Sequence, residues 1–184
     1  MSFFQNIFRR RALKKFAYKG ERNIAPMSRI KTATVILDVE DPSYDKCYDE
    51  IKNYFTKHQI DAIVFYIDLR KLDKYDMLQS SVEKTLLNKE LNWYGRPDIA
   101  KMAPMINSEH PRDLLICLPP INNFPIKFIA TASAAKFKIG VVTKKTDGVI
   151  ASASPFDITI SAEAGSHDCL DTFKTITNLL DTIN

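Results

Sequence analysis

Arg112-Asp113-Leu114-Leu115-Ile116-Cys117-Leu118-Pro119-Pro120-Ile121-Asn122-Asn123-Phe124-Pro125-Ile126-Lys127-Phe128-Ile129-Ala130, continuing to Val142, is the stretch whose reading decides the fold. Leu114 to Leu118 is an unbroken apolar run, as a strand covered on both faces requires. Pro119-Pro120 ends it. Asn122 or Asn123 can cap a helix in which Phe124, Ile126, Phe128, Ile129 and Ala132 recur as apolar positions. Pro125 suits the first turn of that helix, because its missing N–H would have no intrahelical partner there. Ala130, Ala132, Ala134 and Ala135 allow close approach to a sheet, and Phe137 to Val142 returns as the next strand. Such a strand–helix–strand unit places its two strands parallel and winds right-handed.

Working outward, Ala33 to Val39 predicts a first core strand, and Asp41-Pro42 predicts a helix start with Asp41 as N-cap. Tyr44, Cys47, Tyr48, Ile51 and Phe55 then recur at helical spacing to about His58, and Ala62 to Ile67 is the second strand. Residues 71–84 are polar and carry no clear period. Residues 86–93 hold a short third strand, and Tyr94-Gly95-Arg96-Pro97 reads as a turn. Asp98 can cap a helix through Met105 that Pro104 shortens or kinks. Thr143 to Ser154 reads as a loop, and Phe156 to Ile160 as an edge or near-edge strand. A last helix starts at Gly165 or Ser166, with Cys169, Phe173, Ile176, Leu180 and Ile183 in one stripe.

Strands alternating with helices give a three-layer α/β sandwich, Rossmann-like, with a mainly parallel sheet of five to six strands and an N-terminal basic helix. The simplest order puts strand 62–67 on one side of strand 33–39 and strand 114–118 on the other, so the winding reverses between the latter two. Residues 1–31 form a basic helical arm and linker, and residues 32–184 a single α/β domain. The arm holds nine Lys/Arg and one acid, a net of +8, whereas the rest holds 17 Lys/Arg and 21 Asp/Glu, a net of −4. An acidic body disfavours nucleic acid as a partner for the domain as a whole.

Within the arm, residues 2–18 read as a helix with Phe4, Phe8, Ala12 and Phe16 in one row. Arg11 and Lys15 fall close to that row, so the amphipathicity is imperfect. This favours a helix packed on the domain, on a second copy or on a protein partner, with peripheral membrane contact the weaker alternative. No segment is long and apolar enough to cross a bilayer, and no secretory signal is evident. Cys47, Cys117 and Cys169 are far apart and read as buried free thiols, pointing to a reducing, cytoplasmic setting.

In parallel sheets ligands bind outside the carboxyl ends of the strands at the reversal. The candidate ligand-binding residues there are Asp38, Asp41, Asp68, Asn122, Asn123 and Lys144, with Glu40 nearby. Trp93 and Arg96 in the turn could stack on a ring and pair with an anion. The carboxylates could bind Mg²⁺, but capping by Asp41 and solvated strand ends account for them more simply, so no metal site and no cofactor is expected. After the first strand the chain reads Asp38-Val39-Glu40-Asp41-Pro42, with no G-x-G-x-x-G, and no P-loop occurs. The three histidines lack metal-ligand spacing, no serine sits in a nucleophile elbow, and no catalytic set is identifiable.

Leu91-Asn92-Trp93-Tyr94-Gly95-Arg96-Pro97, together with Asn123-Phe124-Pro125-Ile126-Lys127-Phe128-Ile129-Ala130 and Ala134-Ala135-Lys136-Phe137-Lys138-Ile139-Gly140, resembles an uncharacterised family of Bacteroidota, a domain of unknown function. The resemblance covers most of the chain and implies no activity; relatives have Phe and Lys more often where Tyr94 and Arg96 stand. Asp113 to Gly140 also resembles, at the level of fold, the N-terminal half of heptosyltransferase-type glycosyltransferases. The expected function is therefore that of a non-catalytic binding or protein-interaction module. The alternative is a small ligand-binding protein or enzyme acting on a sugar- or nucleotide-like anion.

Overall fold

A computed structural model describes residues 3–70, 84–143, 154–163 and 167–183. Its centre is β1 (Thr32–Asp38), in which Ala33 to Leu37 are all buried. On one side β1 pairs with β2 (Asp61–Asp68), and beyond it lies the short β3 (Thr85–Leu87). On the other side come β4 (Arg112–Cys117), β5 (Ala135–Thr143) and β6 (Ile158–Ala162). All five pairings are parallel, and the order is β3-β2-β1-β4-β5-β6. The reversal falls between β1 and β4, where Val35 lies opposite Ile116 and Ile36 opposite Cys117.

Alternate side chains of these strands feed two separate cores, as the two-residue strand period dictates. Val35, Leu37, Leu114, Ile116, Phe137 and Ile139 pack under α2 (Tyr44–Lys57) and α5 (Cys169–Thr182) through Cys47, Ile51, Phe55, Phe173, Ile176 and Leu180. Ile36, Phe65, Ile67, Leu115 and Cys117 face the other way. They meet α3 (Ile99–Ile106) and α4 (Phe124–Ala132) through Met102, Met105, Ile126, Phe128 and Ile129. Each such apolar side chain contributes about 1.5–3 kcal/mol on burial. The architecture is thus a three-layer α/β sandwich with a Rossmann-like strand order.

α1 (Phe3–Phe16) lies on the α4 side. Ala12 is buried there, and the Phe16 ring meets Phe128 edge-on at 5.6 Å. The chain after it is stitched to the body. Tyr18 N–H donates to the Thr131 carbonyl, Asn23 N–H to the Lys136 carbonyl at 2.9 Å, and Arg22 pairs with Asp157 at 2.8 Å.

Three local readings are corrected. α2 begins at Tyr44 with Ser43 in the N-cap position, so neither Asp41 nor Pro42 occupies its expected place. Asp41 is instead drawn toward α5: one carboxylate oxygen accepts from Ser43 N–H and Oγ, the other from Cys169 N–H at 3.0 Å. α5 begins at Cys169, later than the expected start, with Asp168 as its N-cap, whose carboxylate accepts from Asp171 N–H. β6 starts at Ile158; before it Phe156 turns inward and fills the space over Gly140, where a Cβ would strike the Phe156 ring. The polar stretch at 71–83, the loop at 144–153 and the residues Gly165 and Ser166 lie outside the described residues.

Candidate functional site

The carboxyl end of the sheet gathers Asp38, Asp41 and Asp68 beside the start of α4. Asp68 ends β2 and is buried. Its two oxygens are gripped by Arg70, Nε at 2.9 Å and Nη2 at 2.8 Å, with the Arg70 N–H as a third donor. These hydrogen bonds hold its carboxyl below the usual range, against the opposing effect of burial. Asp41 is engaged by Ser43 and the first residue of α5. Asn123 is the N-cap of α4, its Oδ1 accepting from Ile126 N–H at 3.0 Å. Asn122 is exposed beside it. Lys144 lies outside the described residues.

Asp38 stands apart. It is half-buried at the tip of β1, and one oxygen accepts from Glu40 N–H at 3.0 Å. Burial pushes its carboxyl up to about 6; the Glu40 hydrogen bond opposes the rise, and the charges of Glu40, Asp41 and Asp68 add to it. Among the described residues no group of three or more His, Cys, Asp and Glu is arranged to hold a metal ion.

Trp93 and Arg96 belong to a different structure. Asn92 Oδ1 accepts from the N–H groups of Tyr94 and Arg96, and Gly95 N–H donates to the Asn92 carbonyl. Gly95 takes φ +87°, the left-handed region that its turn position requires. The turn so fixed receives α1. Arg9 Nε donates to the Tyr94 carbonyl at 2.7 Å, and its guanidinium lies over the Phe124 ring at 4.9 Å. The Arg96 guanidinium lies 5.5 Å from the Phe16 ring centre. The Phe8 ring meets Trp93 edge-on at 5.2 Å and stacks on Tyr94 at 5.8 Å.

The outer side of this junction is apolar and open. Phe3, Phe4, Trp93 and Phe8 are 75%, 66%, 62% and 41% exposed. The following positions on α1, Arg10, Arg11, Lys14 and Lys15, are exposed as well. Monomeric domains rarely leave several large aromatic side chains contiguous in water.

Two features escaped the sequence. Lys138, on β5, is buried, and its Nζ donates to the Ala130 and Thr131 carbonyls at the end of α4, at 2.9 and 3.3 Å. Burial, helped by the charge of Arg22, pushes its ammonium down to about 7, while Asp157 opposes. The only signal was its place in the strand Phe137-Lys138-Ile139, covered on both faces. The second feature is the meeting of Cys47 and Cys169 in one core. All three cysteines are buried and free. Cys169 Sγ also lies 3.4 Å from Ser43 Oγ.

The family model of a family of unknown function, DUF6913, matches residues 5–169. No curated protein and no solved structure matches the chain.

Proposed function

The chain therefore belongs to that family, whose function is unknown, and from this premise we propose that it is a non-catalytic docking module whose binding surface is the N-terminal half of α1 and the Trp93 turn. The observation that carries the reading is the run of exposed aromatics Phe3, Phe4, Phe8 and Trp93 on a helix that is itself firmly seated. α1 is held from beneath by Ala12, Phe16 and Arg9, so the exposed rings are displayed on a rigid support. Most polar groups at the carboxyl end of the sheet, by contrast, are engaged in holding loops and helix ends. The test is the size distribution of the full chain in cell extract. The native chain is expected in complexes or in sedimentable material, and Phe3→Ser/Phe4→Ser/Trp93→Ser as a free chain of 21.0 kDa. A native chain running free would contradict the reading.

One observation favours a second reading, a ligand site at the carboxyl end of the sheet. Asp38 is a half-buried carboxyl at the winding reversal, raised toward neutrality. A thermal-shift screen of phosphorylated metabolites with Mg²⁺ tests it. Stabilisation that disappears in Asp38→Ala supports this reading; no shift with any compound removes it.

A further inference from the structure

We infer that the partner of this docking surface is an anionic lipid membrane, which the tip of α1 enters with its aromatic rings while the basic residues behind them meet the headgroups. The inference rests on the docking reading above and names its partner. On a helical wheel Arg11 and Lys15 intrude on the phenylalanine row, which argues against an amphipathic helix lying flat on a bilayer. Along the helix axis the order is different. The exposed residues of the first half are mainly aromatic, Phe3, Phe4 and Phe8, with Trp93 from the turn against Phe8. Those of the second half are Arg10, Arg11, Lys14 and Lys15, and Lys19 follows. The segregation is lengthwise, so the helix suits insertion by its end.

The chemistry of the two halves fits the two layers of a membrane face. Aromatic side chains, Trp above all, partition to the boundary between headgroups and acyl chains. Lysine and arginine there lay their stems along apolar surface and keep their charges among the phosphates. The charge distribution also orients the molecule. The first 31 residues carry +8 and the remainder −4, so an anionic surface attracts the arm and repels the body. The same charges disfavour a second copy docked through α1, since the contact would bring two arms of +8 each together. Nucleic acid would meet four rings before it met the arginines.

Trp93 is the sole tryptophan of the chain, exposed and within the surface, and therefore reports directly on insertion. The full chain is titrated with vesicles of phosphatidylcholine alone and of phosphatidylcholine with phosphatidylglycerol, following Trp93 emission and co-sedimentation. Expected are a blue shift and binding about tenfold or more tighter on the anionic vesicles, reversed by high salt. Phe3→Ser/Phe4→Ser, which keeps the tryptophan, is expected to abolish the blue shift. Arg10→Gln/Arg11→Gln/Lys14→Gln/Lys15→Gln is expected to abolish the preference for anionic lipid. All six side chains are exposed, and circular dichroism verifies that the variants stay folded. No emission change with either vesicle, or equal binding by the phenylalanine variant, overturns the inference. If the extract experiment still shows complexes that the triple variant loses while vesicles leave Trp93 unmoved, docking stands and the membrane falls. Growth in particle size with protein concentration alone, together with a Trp93 shift in the absence of lipid, assigns the surface to a second copy and overturns the inference equally.

Discussion

The carboxyl end of the sheet and the N-terminal half of α1 use their side chains in opposite ways. At the sheet end, the groups that attract attention in the sequence are mostly engaged within the molecule: Asp68 with Arg70, Asp41 with Ser43 and Cys169, Asn123 with the first turn of α4. At the α1 tip, side chains that ordinarily build a core stand in water, while Arg9 and Phe16 fasten the helix. The lesson is that a polar cluster in a place where ligands often bind is not yet a site. What counts is which groups the fold leaves unsatisfied. Here those are rings, with Asp38 as the counterexample at the sheet end.

That contrast can be broken or sharpened by substitution. Phe128, buried on α4, meets Phe16 of α1 edge-on, and Phe128→Ala should destabilise the chain by about 3–5 kcal/mol in urea unfolding, through lost burial and the cavity left behind. Arg70→Ala strands the buried Asp68 carboxylate. The loss should be about 2–3 kcal/mol, at the lower end for a broken buried pair since the arginine is partly solvated, and Arg70→Lys should recover part of it. Gly95→Ala should cost about 1–2 kcal/mol through its left-handed φ. It should also loosen α1, because the new methyl lies 3.3 Å from Arg9 Nη2, and amide exchange in α1 measures that loosening.

The Asp38 carboxyl should titrate near 6 by carboxyl-carbon NMR. Its folded value lies above the ordinary 3.8, so the folded chain holds the proton more tightly. The associated stability is complete below about pH 4 and is lost as the pH rises through 6, and Asp38→Asn removes this slope. Smallest of all, Phe4→Ser should change stability by no more than about 0.5 kcal/mol. A large loss there would mean that the ring is buried in solution and that the tip is not a free surface.

The fold was legible because its signals are local and redundant. Leu114 to Leu118 is apolar on both faces and Ala33 to Leu37 nearly so, the helix between β4 and β5 carries its own cap, and Gly95 marks its turn. Where the sequence misled, the deciding contact was distant. Asp41-Pro42 looks like a helix start, yet the Asp41 carboxylate answers to an N–H 128 positions away, on α5. Lys138 passes unnoticed within its strand, because nothing nearby announces that the carbonyl end of α4 will reach its ammonium. The wheel projection that made α1 look imperfect discards position along the axis, the one coordinate that separates its rings from its charges. Trp93 and Arg96 stand out in the sequence, but the rings they meet in the structure, Phe8 and Phe16, lie eighty or more residues upstream.

The bond from Cys169 to Asp41 also bears on how the chain is made. Ribosomal synthesis delivers β1 early and α5 late, so the face of the sheet formed by Val35, Leu37, Ile116 and Phe137 has only α2 over it until residues 169–182 emerge. A nascent chain in that interval shows apolar surface to its surroundings, and α5 covers it by locking onto the loop after β1. Chaperone capture during translation should therefore concentrate on chains stalled before residue 169, and should fall once α5 is free to dock.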